Sequence, residues 1–504
     1  MFVHNDEIFC FPHMTRDLFF PICVIMLGVF LLSGTMLSHD ISWYLISTRW
    51  WLDGLPIYEE IFELNPPLAF YLTAIPVWIS GVSGLSEIAV YKAFVFALIS
   101  VSLLTTWSLF RNSPTITPLS RRIFLGVAAV GLVLLPIGDF GQRDHLFTIF
   151  FLPFLVMSLL ENPPSKAQRA GIAIWAVLGV ALKHYFLLLP LIILIYKVLS
   201  ARSLRPTLRI EFVLPAALLV AYVIASYILH PAYFDSVIPR TLQLYGAFDT
   251  PFSDMLVRSN TLIAVLAFAL VLMALTPQRN HATALVILVG ASAIAAYLFQ
   301  SKGWNYQRIP ANFYVVLAVT WAATGLAHAR QHWWPMLSAT LAIGVLLVPA
   351  LRAGPYTNTF ATNAAPYFIC PPGQRSFQIF SSTVSSGFPL ANLAQAEPAN
   401  RAPTLWLFPG ASYLLSQTEN SIEQANYRAI LNDAREMVLD DFFRTRPQVV
   451  IVDTSPDKAY FNGAAFDYLD YFQQVDKFSI AWNTYQHRGM VGTYDIYSRP
   501  GCEL

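Results

Sequence analysis

The chain has 504 residues, of which 56% are hydrophobic and 12% charged, about half the charge density of an ordinary soluble protein. That excludes a soluble enzyme, a disordered chain and a disulfide scaffold. With 31 basic and 30 acidic residues, a net charge of +1, no global field draws nucleic acid, and four cysteines without a CxxC spacing make neither a metal cluster nor a redox motif.

What remains is a polytopic membrane protein, and a spanning helix needs about 20 mostly apolar residues. In chain order such segments are 17–36, 87–110, 123–137, 147–160, 210–229, 260–276, 282–299, 311–327 and 333–351. The first is full length and lacks a small-residue cleavage site, so it reads as an anchor. Region 170–198 is too long for one span and is broken by Lys183-His184, with Pro190 following. Two short helices meeting at Lys183-His184 are expected there. Segment 66–80 opens with Pro66-Pro67, contains Pro76 and runs into Gly81 and Gly84, which suits an interfacial or re-entrant piece.

Charge parity supports that division. With eleven spans and a cytoplasmic N-terminus, the short inner loops hold Arg16, Arg111, Arg121, Arg122, Lys166, Arg169, Arg202, Arg205, Arg209, Arg279 and Arg330, as the positive-inside rule requires. Counting 66–80 as a span would put the later arginine-rich loops outside. No internal repeat is visible.

After 351 the composition turns polar and rich in Pro, Asn and Ser. Short β-type runs are expected at Phe377–Phe380, Thr404–Phe408, Val449–Val452 and Tyr494–Tyr497. Residues 421–443 carry Ile422, Ala425, Ile430, Ala434, Met437 and Phe442 near a 3.6 period, which predicts a helix. The expected organisation is a membrane domain at 1–351, with an outer loop at 37–86, and an α/β domain at 352–504 that parity places outside the cytoplasm. Cys370 and Cys502 would share that oxidising side, either paired or as two free thiols.

Ionisable residues near the membrane are candidates for function, and here four groups gather on the outer face. His39-Asp40 follows the first span, with Trp43, Tyr44, Trp50 and Trp51 and then Tyr58-Glu59-Glu60 and Asn65-Pro66-Pro67. An aromatic belt accounts for the rings but not for an acid at a helix mouth, so Asp40 stands out, whereas Glu59 and Glu60 suit ordinary loop acids. Asp139-Phe140-Gly141-Gln142-Arg143-Asp144-His145 puts four ionisable side chains in seven residues. A structural ion pair at a helix start competes there with a functional role for Arg143, Asp144 and His145. Lys183-His184-Tyr185 sits at the helix break, suited either to an anionic ligand or to snorkelling. Gln300-Ser301-Lys302-Gly303-Trp304-Asn305-Tyr306-Gln307-Arg308 places cations around aromatic rings. Acids can take a proton from an acceptor hydroxyl or hold a metal, and cations can stabilise charge on a departing phosphate. Residues 230–259, with Asp235, Arg240, Tyr245 and Asp249, form a long outer loop that is a candidate gate.

The run Asp40…Trp43-Tyr44…Gly54…Tyr58…Asn65-Pro66-Pro67-Leu68 resembles the first outer loop of GT-C fold glycosyltransferases, the superfamily of protein O-mannosyltransferases and lipid A aminoarabinose transferases. Gly141-Gln142-Arg143-Asp144-His145-Leu146 and Lys302-Gly303-Trp304 are similar to motifs of a bacterial branch, so the resemblance covers about residues 36–310. It implies a membrane-embedded enzyme of the bacterial inner membrane. A sugar would pass from a polyprenyl-phosphate donor to a lipid, glycan or protein acceptor outside the cytoplasm, usually with inversion. Asp40 would be the base or orient the acceptor, and Asp144 would assist it. Arg143, Lys183 and Lys302 would face the phosphate, with His145, His184, Trp304, Tyr306, Glu59 and Asn65 lining the substrates. Some relatives use Mg or Mn and others none, so a metal, on Asp40 and Asp144 if present, stays open. Where relatives often end the third motif in Tyr-His, this chain has Tyr306-Gln307. The alternative from another class is a transporter or flippase of lipid-linked sugars, without bond chemistry. It would be marked by mirrored broken helices, and only one broken region is seen.

Overall fold

The computed structural model describes residues 10–277 and 281–501, with side chains from residue 16 onward; Arg279 and Cys502 lie outside the described residues. Helices α1 (Cys10–Leu32), α2 (His39–Leu52), α3 (Leu68–Ser83), α4 (Glu87–Arg111), α5 (Pro118–Val133), α6 (Arg143–Leu159), α7 (Lys166–Val180), α8 (Leu188–Ala201), α9 (Ile210–Leu229), α10 (Ile238–Leu244), α11 (Phe252–Leu275), α12 (His281–Gln300), α13 (Ile309–Arg330) and α14 (Trp334–Ala353) lead into a mixed C-terminal region. Contacts divide the chain into two compact units. The first holds residues 1–35, 78–226 and 250–356, and the second holds 36–77, 227–249 and 357–504.

The first unit is a helical bundle around α6 and α13. Every residue of α6 is buried. α6 packs on α4 and α7, while α13 packs on α5, α11, α12 and α14. α8, α9 and α14 instead turn most of their apolar side chains outward, which is how a helix facing lipid must look. Seven described helical stretches are long and apolar enough to cross a membrane: Glu87–Arg111, His184–Ala201, Ile210–Leu229, Phe252–Leu275, His281–Gln300, Asn305–Arg330 and Trp334–Ala353. The chain is an integral membrane protein. Each segment expected to span is helical, and 170–198 does break, with α7 ending at Val180 and a 3-10 turn at His184–Leu187 opening α8. α3 is an apolar helix of 16 residues, a rise of about 24 Å, short of a bilayer's hydrocarbon.

Several buried charges in this bundle are met by an opposite charge or by main-chain acceptors. Asp17 of α1 takes Arg121 at 2.6 Å and Arg122 at 3.3 Å, both on α5, and the Trp107 indole N–H of α4 at 3.2 Å. Arg169 meets Glu211 at 2.8 Å. Lys92 donates to the Leu32 and Thr35 carbonyls and to the Thr35 hydroxyl, satisfying acceptors at the end of α1.

In the second unit, strands β1 (Ser376–Phe380), β2 (Glu397–Pro398), β3 (Val449–Asp453), β4 (Gln486–Val491) and β5 (Tyr494–Ser498) form one sheet in the order β2-β1-β3-β5-β4. β1 runs parallel to β2 and β3; β5 is antiparallel to β3 and β4. β3, Val-Val-Ile-Val-Asp, is buried throughout, as a central strand covered on both faces requires. The expected helix at 421–443 is Ser421–Thr445, with Asn420 capping its first N–H groups. One expected strand is absent. Thr404–Phe408 is a turn, held where the Leu405 N–H and the Thr404 hydroxyl both donate to the Ser381 carbonyl, and it leads into a helix at Leu407–Gln417. Pro409 offers no ladder N–H but fits a first helical turn. Cys370 is disulfide-bonded.

Candidate functional site

In the first unit the candidate site is built from the starts of α6 and α13 and from the break before α8. Gly141 stands at φ +86, and a Cβ there would meet the Tyr91 ring at 2.5 Å, so only glycine fits this turn. The Tyr91 hydroxyl donates to the Gly141 carbonyl at 2.7 Å. The Gly141 N–H donates to His145 Nδ1 at 3.0 Å, so His145 Nε2 must carry the proton it gives to the Leu132 carbonyl at 2.7 Å. Both ring nitrogens of the buried His145 are thus spent on main chain, and the ring ties the turn to the first turn of α6. Arg143 and Asp144 follow as the first residues of that helix, where an acid is favoured by the helix dipole.

Asp144 is fully buried. Its Oδ2 accepts from the Lys183 ammonium at 2.5 Å, and Lys183 also reaches Gln300 Oε1 at 3.3 Å. The ammonium lies over the Tyr306 ring, 4.9 Å from its centroid, a favourable cation–π arrangement. Asp144 Oδ1 is buried without a hydrogen-bond partner, which is costly unless something else uses it. The structure therefore brings together Asp144, Lys183 and Tyr306 from three separated sequence groups, with Gln300 as the fourth member. Trp304 lies against Tyr306 at 5.9 Å between rings. His184 is exposed, its ring against Tyr185.

Lys302 is buried in the turn between α12 and α13. That turn is clamped by the Thr250 hydroxyl on the Lys302 carbonyl at 3.1 Å, by Arg258 on the Gly303 carbonyl at 3.3 Å, and by Gln307 Oε1 on the Trp304 N–H at 3.3 Å. Thr250 and Arg258 carry no motif and were not legible as part of the site. Gln307 acts here as a cap.

In the second unit Asp40 is half-buried in the first turn of α2, with His39 Nε2 at 3.7 Å from Oδ1. One turn further, the Trp43 indole N–H donates to Glu63 Oε2 at 2.7 Å, while Glu63 Oε1 accepts from the Asn65 main-chain N–H at 2.9 Å and from its side-chain amide. Glu63 is 4% exposed. It binds the Asn65-Pro66-Pro67 corner to the helix carrying Asp40, and its only sequence signal is an acid inside the apolar run Ile61-Phe62-Glu63-Leu64. The Tyr58 hydroxyl donates to the Asn65 carbonyl at 2.6 Å. Tyr58 packs on Tyr233 and His230, and His230 Nε2 is 2.6 Å from the Tyr71 hydroxyl. Glu59 is exposed. Glu60 pairs with Arg444 at 2.7 Å, which with Arg401, Asp440 and Asp441 makes an ion network. The candidate gate is largely helical, and its Arg240 meets Asp433 at 3.6 Å.

Among the described residues no three of His, Cys, Asp and Glu form a group that could hold a metal. At Asp144 a second cation would compete with the lysine ammonium already on the carboxylate, so the residues there do not fit a metal.

No protein-family model matches the chain, and no curated protein does. Solved structures do. The crystal structure of ArnT from Cupriavidus metallidurans bound to undecaprenyl phosphate superposes with a TM-score of 0.55 at 11% identity, covering 97% of this chain and 98% of that one. The same protein in the apo state gives 0.51 at 12% identity, over 96% and 98%. ArnT is a lipid A aminoarabinose transferase with the GT-C fold. From end to end, then, this chain is built on the fold of the ArnT-like membrane glycosyltransferases.

Proposed function

We propose that the protein is a membrane glycosyltransferase that moves a sugar from a polyprenyl-phosphate donor to an acceptor outside the cytoplasm. The observation that carries this reading is the likeness over nearly the whole chain to ArnT, which was crystallised with undecaprenyl phosphate. In this reading all eleven helices at the expected segments span the bacterial inner membrane. Residues 1–351 are the catalytic membrane domain, and 352–504 lie outside. The disulfide at Cys370 suits an oxidising compartment.

The chemistry follows from the residue types. An acceptor hydroxyl attacks the anomeric carbon with inversion, its proton passes to a base, and the polyprenyl phosphate leaves. Asp40, at a helix start and partly exposed, serves as that base or orients the acceptor. Arg143 and Lys302 balance charge on the departing phosphate. The Asp144–Lys183 pair presents one cation and one open carboxylate oxygen. Asp144 thereby fixes Lys183 for the same phosphate, as positioned donors that need not reorganise are the effective ones. Transfer covers hexosyl and pentosyl groups alike, and the acceptor is a lipid, glycan or protein.

The test is turnover of labelled polyprenyl-phosphate sugars by membranes containing the protein. Asp40→Asn is expected to lower sugar transfer by at least ~100-fold while the protein stays inserted and binds donor. Wild-type turnover in that variant would remove Asp40 from catalysis. Donor movement across the bilayer without sugar transfer by the wild type would favour the flippase reading instead.

A further inference from the structure

The second unit carries a basic recess away from the residues discussed so far. At one end of the sheet a shallow recess, partly open to solvent, is lined by Arg375, Arg488 and Arg499, with Tyr367, Gln448 and Ser498 among its walls. Arg375 directly precedes β1, Gln448 precedes β3, and Ser498 ends β5, where it pairs in register with Val449. The sheet therefore gathers residues more than 120 positions apart at one end of its strands.

Three features make this a built site. First, guanidinium groups are always charged, and no carboxylate is among the described residues lining the pocket. Second, among the described residues the bonds the three make go to uncharged groups. Arg375 donates to the Cys370 carbonyl at 2.5 Å and the Ala394 carbonyl at 2.6 Å, Arg488 donates to the Ser498 hydroxyl at 2.7 Å, and Arg499 Nε is buried with no partner. Like charges around one recess repel unless an anion sits among them. Third, the strand is shaped to deliver Arg488. A bulge falls between His487 and Gly489, and bulges re-aim side chains at functional edges. Gly489 stands at φ +152, and a Cβ there would come within 2.6 Å of the Tyr367 hydroxyl, so the wall closes only over glycine.

We infer that this pocket is a binding site for an oxyanion group, a phosphate or a carboxylate, carried by a ligand that reaches the sheet domain from water. Forked guanidinium donors match both groups. The site is independent of the sugar-transfer reading, and its test uses neither donor nor turnover, so either can fail alone.

The experiment is calorimetric titration of the full chain in neutral detergent with inorganic pyrophosphate and, separately, with glucuronate. Saturable binding of at least one probe at ~1 mM or tighter is expected, weakening with salt. The probe that binds distinguishes phosphate from carboxylate. Arg488→Gln with Arg499→Gln should weaken binding at least tenfold without lowering the ligand-free unfolding temperature. Should the double variant not fold, Arg488→Gln alone, at an exposed side chain, is expected to weaken binding severalfold. Failure of both probes to saturate below ~10 mM, or unchanged affinity in the folded variants, would overturn the assignment.

Discussion

The Asp144 carboxylate and the Lys183 ammonium are the residues on which most depends. Each was visible as an ionisable side chain that an apolar context does not tolerate alone, in Gln142-Arg143-Asp144-His145 and in Lys183-His184-Tyr185. That they are each other's partners was not visible, because 39 positions and a helix break separate them. Breaking a buried pair from one side leaves a charge without compensation, about 3–5 kcal/mol. Asp144→Ala and Lys183→Ala should each lose that much in thermal unfolding, and the double variant should recover much of it. Strictly additive losses would show that the two groups do not interact. Glu63 teaches the reverse lesson. Among the described residues it is held by an indole and an amide rather than by a cation, and since loop acids usually lie in water, its place in a short apolar run is a weak signal that sequence reasoning passed over.

At the scale of elements, periodicity and length found the helices because burial of an apolar face repeats every 3.6 residues wherever the helix sits. The break at Lys183-His184 was read from excess length and two ionisable residues, and 66–80 was set apart by its prolines and glycines and by charge parity. The strand expected at Thr404–Phe408, which is a turn instead, shows the limit of periodicity: five apolar or β-prone residues fit a strand or a helical turn equally well until Pro409 decides. The stretch after α9 gives an element-level prediction. His230 lies just past that helix, bonded to Tyr71 and packed on Tyr58, and burial pushes its imidazole below the ordinary value. A histidine held neutral in the folded state adds stability that is present above the unfolded pKa of about 6.5 and is lost as pH falls through the window below it. Unfolding midpoints should therefore drop between pH 7.5 and 5.5, and His230→Phe should drop less over the same interval. Equal slopes for the two proteins would sink this account.

For the whole molecule, the proposed topology makes a labelling prediction. In a background with Cys10→Ser and Cys23→Ser, the latter removing the exposed free thiol found among the described residues, Thr115→Cys in the loop after α4 should react with an impermeant maleimide only from the cytoplasmic side. Ser416→Cys in the sheet domain should react only from outside; reaction of both from one side would end the eleven-span arrangement. Composition by itself determined that the chain lives in a membrane and that a polar α/β region follows residue 351, since both depend only on how much apolar and charged surface a stretch must hide or show. Hydrophobic pattern determined the spanning segments, the helix at 421–443 and three of the five strands, but not the helix at His39–Leu52 inside the expected outer loop or the one at Leu407–Gln417. Only the tertiary structure decided that residues 36–77 and 227–249 belong to the same unit as the sheet, that Asp144 answers Lys183 and Gln300, and that Arg375, Arg488 and Arg499 share a recess. Such relations join positions far apart in the chain, and a contact between them is set by how helices and strands pack, which no local period records.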